Sequence, residues 1–299
     1  MTHIKEIKES TVKRALRLHQ LWLDSGHRKG RRLIVTTEII NKINFEKIKD
    51  FAGTNFNEAS FSGADFSEKA LKGMNFKGAT FKKTYFKDAI FFAVVFDDSN
   101  FENCDFSEAN FESTIFEDTS FSQCLFNHSK FIKTIFWKAF FYDVIATKAQ
   151  FKECDFDGVN FKYADFSYAD FSKLNLTRVD LSGLNFIKAK FNNAIFSGAR
   201  FYECNFDDCL FQDVDFTGVK MDRTVFTHST FNRCSFLFAT FNKANFNKAD
   251  FRYVRFDELI AMNTKINDCD FSEANFSHSY FSFADFSYAH FDSLSLIHI

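Results

Sequence analysis

Three kinds of side chain could carry chemistry in this 299-residue chain: seven cysteines, eight histidines and 39 aspartates and glutamates. Cysteine acts as a nucleophile when its thiolate is exposed, or as a zinc ligand in CxxC-type spacing. Here Cys104, Cys124, Cys154, Cys204, Cys209, Cys234 and Cys269 each stand two residues before a Phe, and no metal-ligand spacing occurs. Placement that regular marks them as small interior residues. The histidines do not converge: His128 and His228 share a register but lie five coils of the repeat apart. Carboxylate pairs need a cleft that desolvates them before they can act as acid and base. The glycines form no phosphate-binding loop either. The expectation is a protein that is not an enzyme, with no catalytic residues, metal ligands, cofactor or small-molecule substrate.

The element that positions these residues is a repeat. Phe accounts for 47 residues and Pro for none, a bias that calls for a search for internal periodicity. From Phe51 to Phe291 every fifth position is apolar, and 42 of these 49 positions are Phe. The exceptions are Leu71, Ala146, Leu176, Leu181, Met221, Ala261 and Ile266. Two residues earlier runs a second column, Thr54 to Ala289, in which 43 of 48 members are Ala, Cys, Ser, Thr or Val. Lys69, Met74, Leu174, Leu184 and Leu259 break it.

A period of five suits neither regular element. On an α-helix successive Phe residues would be rotated by about 140°, and in a flat strand an odd period sends them to alternate faces. A short extended piece that turns two residues inward, followed by a corner, does fit. Four corners close a coil of 20 residues, and neighbouring coils pair as parallel β-bridges about 4.8 Å apart. Cys104 and Cys124 then stack on adjacent coils, further apart than the roughly 3.8 Å between Cβ atoms that a disulfide prefers. Free thiols suit a reducing cytoplasm, the expected location.

Segments such as Ala64-Asp65-Phe66-Ser67, Ala109-Asn110-Phe111-Glu112 and Ala284-Asp285-Phe286-Ser287 resemble the A(D/N)(L/F)xx signature of the pentapeptide-repeat proteins. The resemblance covers about five-sixths of the chain. It implies an all-β fold, a right-handed quadrilateral parallel β-helix. Residues 51–299 make about 12 coils at 20 residues each, a rod on the order of 60 Å long at strand spacing.

Residues 1–50 form a basic leader, with 12 Lys and Arg against 6 Asp and Glu; the repeat region 51–299 holds 25 against 33. Ser10 is placed to cap a helix over residues 11–24, with Val12, Ala15, Leu18 and Trp22 on one face and Gly26 as its stop. A solenoid needs its first coil covered, and this helix is the expected cap. Val35, Ile40 and Phe45 keep the spacing of five, one residue out of register, and suggest an irregular first coil. The basic run Arg28, Lys29, Arg31 and Arg32 is either a solvated turn or a contact for nucleic acid or an acidic protein. No run of 18 apolar residues is present, so no membrane-spanning helix is expected.

Two outward features point to a partner. Between Lys87 and Lys130 lie nine acidic residues and no basic one: Asp88, Asp97, Asp98, Glu102, Asp105, Glu108, Glu112, Glu117 and Asp118. They form an acidic belt about two coils tall, either a solubilising band or a binding surface. Val95, Ile115 and Ile135 recur every 20 residues in an outward column, with Trp137 beside them, and Ile90, Leu125, Phe140 and Ile145 on neighbouring faces. This stripe is either ordinary β-surface or a partner site. Leu294, Leu296, Ile297 and Ile299 leave the last coil without a polar cap; an uncovered edge pairs with its like, giving the expectation of a homodimer through that end.

The resemblance extends to the quinolone-resistance members of the family, which bind type II topoisomerases, DNA gyrase or topoisomerase IV, by imitating duplex DNA. It implies a non-catalytic scaffold for a protein partner, with topoisomerase modulation as its leading specific form. A structural or self-assembling rod and a secreted effector are the alternatives.

Overall fold

The computed structural model describes residues 9–26, 28–31, 34–35 and 56–292. Two compact units divide it, residues 1–145 and 146–299. The second opens at Ala146, where the Phe column is interrupted. Both are parallel β-helices, with about 11 turns between them, against the 12 expected for the full span 51–299.

One pentapeptide shows how the chain turns. Phe61 points inward at the centre of the three-residue strand Ser60–Ser62, and both flanking residues are exposed or half-buried. The next two residues form the corner. At Phe56 the corner closes as a hydrogen-bonded turn, with Ala59 N donating to Phe56 O at 3.0 Å and Glu58 at φ +57°. A positive φ at the second central residue is the type II geometry. All 47 residues at this corner position, from 58 to 288 in steps of five, have positive φ, and only seven are Gly. None of the 47 is Val, Ile or Thr. β-Branched side chains fit the left-handed region worst, so their exclusion is a sequence signature of the corner itself.

In the first unit the strands Ser60–Ser62, Thr80–Lys82, Asn100–Glu102, Ser120–Ser122 and Phe140–Tyr142 pair in order, each residue with the one 20 further on. Ala70–Lys72, Ile90–Phe92, Asn110–Glu112 and Lys130–Ile132 do the same on another face. Inside, rings stack along each ladder: Phe81 lies 4.5 Å from Phe101 at 6°, and Phe86 lies 4.6 Å from Phe106 at 3°. Neighbours around one coil meet edge to face, as Phe101 and Phe106 do at 5.2 Å and 68°. Both arrangements are favourable ring geometries.

The small column packs between the rings, and its polar members are satisfied by backbone. Thr84 Oγ1 donates to Phe61 O at 3.0 Å, Ser99 Oγ to Phe76 O at 2.7 Å and Thr119 Oγ1 to Phe96 O at 2.8 Å. All seven cysteines are buried and free. In the second unit the Cys204 and Cys269 thiols donate to the carbonyl at the equivalent position, Cys204 Sγ to Leu181 O at 2.9 Å and Cys269 Sγ to Phe246 O at 3.0 Å. Burial pushes the Cys204, Cys234 and Cys269 thiols up to about 12.

The second unit follows the same plan with fewer full strands, its coils from 165 to 205 joined by single bridges such as Asp165↔Asn185 and Asn185↔Asn205. Here the irregular interior residues compensate in pairs. Leu176 and Leu181 replace Phe, and Leu174 and Leu184 enlarge the small column beside them; Ala261 replaces Phe next to Leu259, and all six are at least 98% buried. Close packing explains this, since a lost ring must be matched by added volume nearby. Lys69, the one charged member of the small column, is half-buried.

In the leader the helix α1 spans Glu9–Asp24, two residues earlier than expected, so Ser10 lies within it and is not its cap. Gly26 has φ +59°, consistent with the expected stop. Gly30, at φ +81°, lets the chain pass so close to α1 that a Cβ there would sit 2.2 Å from Leu18 O; Arg31 N bonds that same oxygen at 3.1 Å. His19 ties α1 to the first described coil: it is fully buried, stacked on Trp22, with Nε2 2.6 Å from Asn57 O. Val35 pairs with Phe61, a step of 26 where the repeat uses 20; residues 36–55, between the two, lie outside the described residues. Ile40, Phe45, Arg32 and the terminal Leu294, Leu296, Ile297 and Ile299 lie outside the described residues.

Candidate partner-binding face

Val95, Ile115 and Ile135 form one ladder, joined by the parallel bridges Val95↔Ile115 and Ile115↔Ile135. The two corners that flank this ladder complete a face. On one side Phe92 pairs with Glu112 and Glu112 with Ile132. On the other stand Asp97, Glu117 and Trp137, held in line by Asp98 N to Glu117 O at 2.9 Å and Asp118 N to Trp137 O at 3.0 Å. Three rungs thus read Phe92-Val95-Asp97, Glu112-Ile115-Glu117 and Ile132-Ile135-Trp137. None of the nine is buried; Phe92 is 44% and Ile135 37% exposed. Lys138 Nζ lies 3.8 Å above the Trp137 ring, a cation–π contact at the end of the face.

The acidic belt is resolved into parts. Asp97, Asp98, Glu117 and Asp118 share one corner; Asp88 and Glu108 occupy a second, Glu102 a third and Glu112 the fourth, while Asp105 is an outward strand residue whose Oδ1 accepts from Ser107 N at 2.9 Å. Three members are paired with lysines about one coil earlier: Asp98 with Lys77 at 3.1 Å, Glu102 with Lys82 at 2.9 Å and Glu108 with Lys87 at 3.6 Å. These pairs are exposed, and such pairs contribute little to stability, but they do cancel local charge. Among the described residues Glu112, Glu117 and Asp118 have no basic group within ion-pair distance. Burial pushes the Asp97 carboxyl above its ordinary range; the Glu117 backbone works against that shift and the Glu117 carboxylate adds to it.

The structure therefore brings together Asp97, Glu117, Val95, Ile115, Ile135 and Trp137, with Asp98 and Asp118 at the rim, and leaves Glu102, Asp105 and Glu108 elsewhere on the coils. Ile90, Leu125, Phe140 and Ile145 stand on other ladders, paired with Asn110, Asp105, Ser120 and Leu125. Sequence reading missed Phe92 and Ile132, which occupy a corner column that is polar nearly everywhere else. Their 40-residue spacing around Glu112 was the available signal. Among the described residues no group of three or more His, Cys, Asp or Glu could hold a metal ion, and no helix is long and apolar enough to cross a membrane.

Comparison with known proteins gives a match to the family model for pentapeptide repeats, in overlapping segments from residue 50 to 218, then 220–257 and 263–297. No curated protein matches. Among solved structures the chain is similar to QnrB1, a plasmid-mediated fluoroquinolone resistance protein, at 18% identity over 62% of this chain and 94% of that one, with a TM-score of 0.38. HetL, a pentapeptide repeat protein involved in heterocyst differentiation regulation from the cyanobacterium Nostoc sp. strain PCC 7120, is 14% identical over 86% and 94%, with a TM-score of 0.26. A periplasmic alginate epimerase, AlgG, is 9% identical over 88% and 83%, with a TM-score of 0.31.

Proposed function

The chain belongs to the pentapeptide-repeat family, and from that premise we propose that it is a non-catalytic scaffold that binds a protein partner through the three-rung face of its first unit. The observation that carries this reading is the grouping of six apolar and three acidic side chains, none of them buried, on adjacent rungs. Exposed apolar groups clustered around an aromatic residue are what partner surfaces are made of. Among the described residues the interior of the coils is filled by rings, which supports a binding role carried on the outer surface. The buried free thiols support a cytoplasmic setting for this role.

Affinity capture with the intact protein and with Ile115→Asp tests the proposal. A partner retained by the first and lost by the second is the expected result. Capture that does not depend on any residue of the face would refute it.

Topoisomerase modulation by DNA mimicry is the specific form that the sequence resemblance suggests, and it rests on unpaired carboxylates. Inhibition of gyrase supercoiling that weakens with salt, and is abolished by Asp98→Lys, Glu108→Lys and Asp118→Lys together, would support it. The lysine partners of Asp98 and Glu108 already interrupt the negative surface, so an absence of inhibition at micromolar protein leaves the scaffold reading standing without the mimicry.

A further inference from the structure

The face has a length scale. Val95, Ile115 and Ile135 sit on successive rungs, and at about 4.8 Å per rung the stripe spans about 9.6 Å. A helix laid along it presents residues i, i+4 and i+7 over about 10.5 Å at 1.5 Å per residue. An extended strand laid the same way repeats its side chains every ~6.8 Å and is out of step by the second rung.

Charge adds a second constraint. Glu112 flanks Ile115 on one side and Glu117 on the other, and among the described residues neither is in an ion pair, although the Lys77 ammonium, paired with Asp98, also feels the Glu117 charge. Other carboxylates of the same coils, Glu102 and Glu108, are matched by lysines. Burial is the main reason the Asp97 carboxyl is raised, and the neighbouring Glu117 carboxylate adds to it. An incoming cation beside Glu117 would offset that contribution, and one beside Glu112 would meet a carboxylate that has no ion-pair partner among the described residues.

Resting on the scaffold reading above, we infer that the occupant of this face is a basic amphipathic helix of a partner protein. Its apolar residues at i, i+4 and i+7 lie on Val95, Ile115 and Ile135, and its Lys or Arg side chains reach Glu112 and Glu117. Trp137 closes one end of the stripe.

A displayed library of random peptides about 16 residues long, enough for about four helical turns, tests this with the full-length protein as bait. Enriched peptides should share an apolar i, i+4, i+7 pattern with flanking Lys or Arg. Their affinity should fall about tenfold or more with Ile115→Asp and with Glu117→Lys. Ile195→Asp, at the matching outward position of the second unit, should leave it unchanged. Because a face variant could disturb folding, a photo-crosslinker on the best peptide provides a second readout on the unmodified protein, with attachment expected between residues 92 and 138. Peptides without helical period, peptides that are acidic, attachment elsewhere, or no enrichment at all would each overturn the inference. If capture of a partner still depends on Ile115 in any of those cases, the scaffold reading survives and only the helical occupant is wrong; if that dependence is missing too, both fall.

Discussion

Ala93 offers a direct test of the corner that makes every coil possible. It has φ +51°, its side chain is exposed, and its amide donates to Glu112 O at 3.0 Å. Because the side chain touches little, replacing it changes backbone energetics and almost nothing else. An L-residue held in the left-handed region costs roughly 1–2 kcal/mol. Glycine removes that cost but loses about 0.5–1 kcal/mol in extra unfolded-state freedom. Ala93→Gly should therefore stabilise by about 0.5–1 kcal/mol, the difference of the two terms. Gly73, one coil below at φ +59°, has open space where a Cβ would stand, so Gly73→Ala should cost a similar amount. Ala93→Val should cost about 1–3 kcal/mol, because a β-branched residue is strained there. At about 2–4 °C per kcal/mol for units of this size, thermal unfolding followed by circular dichroism separates the three variants. Hydrogen exchange at the Ala93 amide should follow the same order. A neutral Ala93→Val, or a destabilised Ala93→Gly, would refute the left-handed corner.

Phe106, fully buried between Phe86 and Phe126 at 4.6 and 4.8 Å, should cost about 3–5 kcal/mol on conversion to Ala; a small loss in denaturant unfolding would mean the ring is not in the core. Leu259→Ala alone should destabilise by about 2–4 kcal/mol and Ala261→Phe alone by about 1–3 kcal/mol, yet the double variant, which restores the regular unit, should lie near the parent. Additive losses would show that the two side chains do not share one volume. The cysteine thiols, with Cys204, Cys234 and Cys269 at about 12 when folded, should resist thiol reagents at pH 8 until the protein unfolds. Their pKa is raised on folding, so this contribution to stability is complete below the unfolded value near 9 and is lost as pH climbs from about 9 to 12. Denaturation midpoints that stay flat across that window would contradict the burial.

The fold was legible because its period is stated about fifty times over. Spacing of five fixes which two residues face inward, and closure on four corners fixes pairing at 20, as the bridges from Ser60 to Thr80 and Asn100 show. What the columns of small and large residues did not reveal was their trade in volume at Leu174, Leu184 and Leu259, because each stands in the sequence as an isolated exception. The site was legible only in part for a related reason. Val95, Ile115 and Ile135 share a column, so spacing alone groups them. Phe92, Ile132 and the lysines at 77, 82 and 87 belong to corner columns, where position along the sequence says little until residues 20 or 21 apart are set side by side. His19 carried no signal at all: its burial depends on the coil that α1 meets, which the leader sequence does not encode.

Recognition of a protein partner by one face of the first unit has a direct readout. It is hydrogen–deuterium exchange of the captured complex, compared with the free protein. Protection is expected at the edges of the three rungs, around residues 92–97, 112–118 and 132–138, with little change at the matching rungs of the second unit. Protection confined to other coils, or none at all in a complex that has formed, would contradict it.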